Sequence, residues 1–256
     1  MLLHATTYGS GPHLLLLHGL FASGNNWRSV ARRLEAHFTV TSLDLRNHGQ
    51  SPWSDRMDYE AMAGDVALTL GALTGGAAWV VGHSMGGKVA MELALRWPAL
   101  VAGLVVEDIA ARAYEREHDE ILRALNAVDP GKCTAREQVD AALWKDIPDA
   151  AVRHFLLTNL QRTAPGSFRW RMNLRVITDC YPRLLEEVAR HGRYAGPVLV
   201  VAGGRSRHVL ASDEPAMRER FPRCEFRRIA GAGHWVHGDA PEEFVAHLLE
   251  FLRGSS

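Results

Sequence analysis

Residues 82–86 read Gly-His-Ser-Met-Gly, a serine with a glycine two places to either side. A serine hydroxyl becomes a nucleophile when a turn presents it and a base takes its proton. The bare pattern is weak, because a chain this rich in glycine produces it by chance about one time in ten. Its context is stronger. Trp79-Val80-Val81 reads as a buried strand, and Gly86-Gly87-Lys88-Val89-Ala90-Met91 opens a helix. A strand–turn–helix junction strains the backbone at Ser84 and lifts its side chain clear of the sheet. Glycines at 82 and 86 let the chain turn without clashes. The helix N-terminus favours the negative charge that develops on attack.

The base must come from elsewhere in the chain. There are 13 histidines, and His234 stands out. It lies in Gly231-Ala232-Gly233-His234-Trp235, after the last strand pattern and before the last helix, which fits the order serine, acid, histidine. His237 reads as a helix-entry residue. Three carboxylates compete to orient the imidazole. Asp108 closes a strand at the edge from which it could reach His234. Asp213 lies beyond the loop Gly203-Gly204-Arg205-Ser206-Arg207-His208-Val209, which carries serine where an aspartate is expected. Glu107 is the third. Asp108 leads on position. Ser206 reads either as a helper of the acid–histidine pair or as a loop-capping hydroxyl.

The oxyanion of an attacked carbonyl needs two N–H donors. Met85 should supply one, and Leu20, or else Phe21, the other. His18 reads as a residue that shapes that loop. Asp44-Leu45-Arg46-Asn47-His48-Gly49-Gln50-Ser51 reads as a hydrogen-bonded brace, with substrate contact by His48 the lesser alternative. Lys88 does not fit the S-x-x-K spacing and is expected to form a structural ion pair. Position 84 holds serine, which argues against the aspartate-nucleophile chemistry that cleaves carbon–halogen and epoxide bonds. No metal site or cofactor is expected.

These residues need a scaffold. Short apolar runs end at His18, Asp44, Gly82 and Asp108, with later runs at 197–202 and 225–229; each fits a strand buried on both faces. Helical patterns alternate with them: 27–37, 59–73 with Asp58 as N-cap, 85–97 stopped by Pro98, and a last one opening at Pro241. That alternation predicts a mostly parallel sheet flanked by helices. A hairpin joining 2–8 to 13–18 is expected at the start. Between Ile109 and Ala195 the rhythm stops. This stretch reads as short helices broken at Asp129-Pro130-Gly131, Ile147-Pro148 and Ala164-Pro165-Gly166, without strands. It predicts a helical cap, residues 111–194, inserted into a core of 1–110 and 195–256. Eight arginines against three acids between 153 and 193 suit either a solvated surface or a pocket rim for anionic substrates.

Composition narrows the function. The chain has 256 residues, 47% of them hydrophobic, and carries 29 basic and 29 acidic side chains. Zero formal charge gives no reason to propose nucleic acid as a partner. No apolar run approaches a membrane span, and Met1-Leu2-Leu3-His4-Ala5 does not open like a secretory signal. Three widely spaced cysteines, 133, 180 and 224, suit a reducing, cytoplasmic setting. A monomer or homodimer is expected.

Taken together, the segments 18–21, 44–51, 82–88, Glu107-Asp108-Ile109-Ala110, Phe168-Arg169-Trp170-Arg171-Met172-Asn173-Leu174 and 231–235 resemble the small acyl esterases of the bacterial YbfF type and their mitochondrial relatives. The likeness spans nearly the whole chain. It implies the α/β-hydrolase fold and a carboxylesterase favouring short acyl chains, with acyl-CoA thioesters as further substrates. It also implies Asp108 as the acid, Ser206 as its helper, and Phe21 and Trp170 with its neighbours facing the pocket, core packing being an equal reading for Trp170 and Leu174. Ala110-Ala111 departs from the proline that relatives often carry. A carbon–carbon bond hydrolase and a triad-retaining small-molecule receptor are the competing readings.

Overall fold

The computed structural model describes residues 1–164, 166–188 and 192–254. In chain order it contains β1 (Ala5–Tyr8), β2 (His13–Leu17), α1 (Arg28–Leu34), β3 (Thr39–Leu43), α2 (Tyr59–Thr74), β4 (Ala78–His83), α3 (Met85–Arg96) and β5 (Val101–Glu107). After these come α4 (Asp119–Ala127), α5 (Arg136–Trp144), α6 (Ala150–Leu157), β6 (Leu160–Ala164), β7 (Ser167–Trp170) and α7 (Leu174–Leu184). The chain closes with β8 (Val198–Gly203), α8 (Glu214–Arg220), β9 (Cys224–Ile229), α9 (Val236–Asp239) and α10 (Pro241–Gly254).

Seven strands form one sheet in the order β1-β3-β2-β4-β5-β8-β9, parallel except for β1. Alternate side chains feed two cores, as the period of a strand requires. Leu15, Leu17, Val80, Leu104, Val106, Val198 and Val200 face the larger core with α2 and α3. Leu14, Leu16, Trp79, Val81, Val105, Leu199 and Val201 face the other, with α1 and α10. Both faces are thus apolar, which is why these strands read as continuous hydrophobic runs. The strand order reverses between β2 and β4, and the crevice beyond their C-terminal ends is where sheets of this kind bind ligands.

Two expectations need correction. β1 and β2 do not form a hairpin: β3 lies between them, antiparallel to β1 and parallel to β2. Leu14–Leu17 are fully buried and need a paired strand on each side, whereas β1, half polar along its length, suits the edge. The inserted stretch is also not purely helical, because β6 and β7 pair antiparallel within it. Gln161 and Arg162 are exposed, so β6 shows no apolar run, while Phe168 and Trp170 alternate inward with the exposed Arg169. Pro165, at the expected break, lies outside the described residues.

Helix α2 begins where its sequence signal says: the Asp58 carboxylate accepts from Ala61 N at 2.8 Å. Asp58→Ala should lower stability by about 1 kcal/mol, read as a fall in the thermal midpoint. An unchanged midpoint would show that the cap contributes nothing.

Candidate active site

Ser84 sits between β4 and α3 with φ 51° and ψ −120°, a conformation costly for any residue with a Cβ. Close approach enforces it. A Cβ at Gly82 would lie 2.2 Å from the Gly86 carbonyl oxygen, and one at Gly86 2.4 Å from that of Leu17. A Cβ at Gly19 would lie 3.3 Å from Ser84 Cβ, so the loop that carries Leu20 runs against the serine side chain. His18 fixes that loop: its Nε2 accepts from Leu45 N at 2.9 Å, and its Nδ1 donates to the Gly19 carbonyl at 2.8 Å. Burial lowers its pKa, which keeps this neutral tautomer.

Asp108 follows β5, fully buried and also at positive φ, 49°. Its Oδ1 accepts from Gly203 N at 2.8 Å. Its Oδ2 accepts from His234 Nδ1 at 2.8 Å and from the Ser206 hydroxyl. Nδ1 therefore carries the proton, and Nε2 of His234 is left as the basic nitrogen. The His234 carbonyl accepts at 2.9 Å from Nε2 of His83, the residue before Ser84. Burial pushes His83 down to about 3, so it serves as a neutral donor. The geometry thus brings Asp108, Ser206 and His234 into one hydrogen-bonded group and ties His234 to the turn that bears Ser84. Asp213 is engaged elsewhere, by Arg112 at 3.0 Å and Leu210 N at 2.8 Å. Glu107 receives His237 N at 2.7 Å and His237 Nδ1 at 2.8 Å, with the His237 ring stacked on Trp27. Consecutive acids thus hold two histidines three residues apart.

Ser84 opens on a cleft whose space, open solvent included, is about 470 Å³. Leu20, Met85, Ile109, Leu184 and Leu185 give it apolar walls, Tyr59, Lys88, Tyr114, His118, Tyr181 and His208 add polar groups, and Glu115 and Glu117 complete the lining. Phe21 and Trp170, expected to touch substrate, do not line it. The Phe21 ring packs edge-on against His118, 5.7 Å between centroids. Trp170 points into the larger core, following the inward alternation of β7. His48 is buried and pushed down to about 3 by that burial and by the neighbouring His18, and it does not line the cavity. The expected Lys88 ion pair is replaced by a bond to the Glu186 carbonyl at 2.6 Å and by the faces of Tyr114 and Tyr59. Of the arginines between 153 and 193, Arg190 lies outside the described residues, and none of the others lines the cavity.

Several residues here are given no individual role by the sequence. His208 stacks on His234 at 3.9 Å and 25°, and its Nδ1 lies 3.2 Å from Ser206 Oγ. Asn159 Nδ2 donates to the Phe21 carbonyl at 2.6 Å, and Asn173 N donates to the Asn47 carbonyl at 2.8 Å. Asp108, His208 and His234 bring ligand-type atoms within 4.8 Å of one another. The facing Asp108 oxygen, however, already accepts hydrogens from Ser206 and His234. The arrangement fits a proton-holding group better than a metal centre. Among the described residues no helix is long and apolar enough to cross a membrane.

Residues 14–247 match the model of the alpha/beta hydrolase family, and the chain belongs to that family. It is 39% identical over 253 residues to the sn-1-specific diacylglycerol lipase ABHD11 of Xenopus tropicalis, covering 96% of this chain and 79% of the relative. It is 36% identical over 242 residues to esterase YbfF of Escherichia coli K12, covering 93% and 92%. A solved marine microorganism esterase superposes with TM-score 0.95 at 35% identity, covering 98% of this chain and 99% of that one. The chain is thus an alpha/beta hydrolase with relatives named as esterases and lipases.

Glu107 offers a test of the support beneath the site. Burial would raise its pKa, but the electrostatic pull of the His237 ring and the hydrogen bonds from His237 N and Nδ1 outweigh burial and leave it below its ordinary value. A depressed carboxylate stabilises the fold above its unfolded pKa and loses that contribution as pH falls through the folded value. Glu107→Gln should therefore be less stable than wild type near pH 7, and the gap should close as denaturant midpoints are followed from pH 5 downwards. A gap that stays constant with pH would refute the linkage.

Proposed function

We propose that the protein hydrolyses carboxylic esters of short to medium acyl chain through an acyl-enzyme on Ser84. The observation that carries this reading is the Asp108–His234 hydrogen bond at 2.8 Å, in a loop bonded to the residue before Ser84. Ser84 Oγ attacks the ester carbonyl and its proton passes to His234 Nε2. The N–H groups of Leu20 and Met85 receive the oxyanion; the close packing of the Gly19 loop on Ser84 supports that role. Asp108 holds the imidazole in its Nδ1–H form and stabilises the cation, with Ser206 sharing the carboxylate. The protonated His234 gives its proton to the departing alcohol, and water then hydrolyses the acyl-enzyme by the same steps in reverse order.

The same steps cleave a thioester, with a thiol as leaving group, so acyl-CoA substrates belong to this proposal. Residues 111–194 act as a cap. Tyr114, His118, Tyr181 and Leu184, all from that segment, line the cavity and would hold the acyl group away from water. The three free cysteines fit a reducing, cytoplasmic setting.

Turnover of p-nitrophenyl butyrate tests the reading. Ser84→Ala should lower kcat by at least about 10³-fold, and Asp108→Asn by about 10⁴-fold, the loss a wrongly oriented imidazole causes in other triads. Ser84→Ala retaining a tenth of wild-type activity would remove the nucleophile assignment. Wild type that binds esters without cleaving them would favour a receptor, and cleavage confined to carbon–carbon substrates would favour that hydrolase class.

A further inference from the structure

Lys88 is a charged side chain for which the ester reading has no task. It lies on α3, four residues beyond Ser84, is 1% exposed, and lines the same cavity. Its Nζ donates to the Glu186 carbonyl at 2.6 Å and faces the rings of Tyr114 at 4.7 Å and Tyr59 at 5.3 Å. Glu186 and Glu187 attract it only at longer range, and Arg112 repels it. An ammonium has three protons to place, and one taken out of water without an anion is costly. A helix rises about 6 Å over four residues, a span that an acyl chain of about four or five carbons covers from Ser84.

We infer that Lys88 is a specificity-determining residue, selecting acyl groups whose far end carries a carboxylate. The inference rests on the ester-hydrolysis reading above and narrows its substrate class. In this arrangement Leu20, Met85, Ile109 and Leu185 pack against the methylenes, while the terminal carboxylate supplies the anion that no described residue places within ion-pair distance of Nζ. Among the described residues, the surrounding titratable groups leave Lys88 as the cation of the cavity. Tyr59, from α2, and Tyr114 are pushed up by burial and stay neutral; Tyr181, from α7, is raised likewise. His118 is lowered by burial, and His208 is lowered to about 4 by burial and by His234, so both are neutral near pH 7. Glu115 and Glu117 also line the cavity, but both are exposed to solvent, and Glu117 faces His208 Nε2 at 3.4 Å. Burial brings Lys88 itself down to about 7. The charge that would meet a carboxylate is therefore present below that pH and is lost as pH rises through it.

The experiment compares kcat/KM for the p-nitrophenyl monoester of glutaric acid with that for p-nitrophenyl butyrate, in wild type, Lys88→Met and Lys88→Arg. Wild type should favour the glutarate ester at pH 6, and the ratio should fall between pH 6 and pH 9. Lys88→Met should lower the ratio at least about tenfold and make it independent of pH, whereas Lys88→Arg should restore most of it. A third ester, p-nitrophenyl 4-oxopentanoate, separates charge from simple hydrogen bonding; equal preference for it would overturn the carboxylate assignment. A wild-type ratio below one, or a ratio unchanged in Lys88→Met, would also overturn it. Cleavage of butyrate without preference for glutarate sinks this inference alone, while cleavage of neither ester sinks the ester-hydrolysis reading with it. The wild-type pH series requires no variant and stands even if Lys88→Met fails to fold.

Discussion

The left-handed backbone at Ser84 is the constraint on which the rest of the site depends. It is not isolated. Among the described residues, the non-glycine residues at positive φ are Phe21, Asn47, Ser84 and Asp108. Each lies in the loop that follows one strand: β2, β3, β4 and β5 respectively. Strain of this kind costs on the order of 1–3 kcal/mol per residue and persists only where the surroundings over-determine it. Here it is concentrated along the C-terminal edge of the sheet, where the chain bends sharply enough to aim side chains at one crevice.

What over-determines each bend is visible. At Ser84 it is contact so close that only glycine fits at 82 and 86. At Asp108 the backbone N–H bonds to Val201 O at 2.9 Å, while the carboxylate is filled by Gly203, Ser206 and His234. At Phe21 and Asn47 the hold comes from the segment inserted between β5 and β8: Asn159 takes the carbonyl of Phe21, and Asn173 that of Asn47. Arg171 N in turn bonds to the Asn159 carbonyl at 2.8 Å. The insertion therefore does more than cover the cavity. It braces two of the bends from above, so its placement and the position of the loop bearing Leu20 are mechanically linked.

Much of this was legible in the sequence, for identifiable reasons. Strands buried on both faces announce themselves as apolar runs, and G-x-S-x-G between a strand and a helix signals a strained turn. Asp108 stands out in the sequence because it ends a strand on the edge that also carries His234, and the fold joins the two by a hydrogen bond. What was not legible depended on partners remote in sequence. The pairing of β1 with β3 rather than β2 follows from competition for a central position, which no local pattern encodes. β6 is polar on its exposed residues and gave no hydrophobic signal. Likeness of motif points Phe21 and Trp170 to the pocket, with core packing equally open for Trp170; the alternation along β7 turns Trp170 to the core. His208 sits in a loop with no pattern, and only the folded chain stacks it on His234.

The buried charges of the site differ in how they are compensated, and the difference separates scaffold from chemistry. Glu107 is met by a backbone N–H and an imidazole of His237, so its burial is offset within the chain, and it anchors the turn that carries the second histidine. Asp108 accepts three hydrogen bonds, one of them from His234 Nδ1, so its compensation would strengthen if His234 took up a proton as the proposed mechanism requires. Lys88 has one carbonyl and two aromatic faces, which soften its desolvation without neutralising it. A charge offset by the fold has no call on a ligand. A charge left partly uncompensated on the wall of a cavity does, and the chain has placed that charge one helical turn from the serine proposed to form the covalent intermediate.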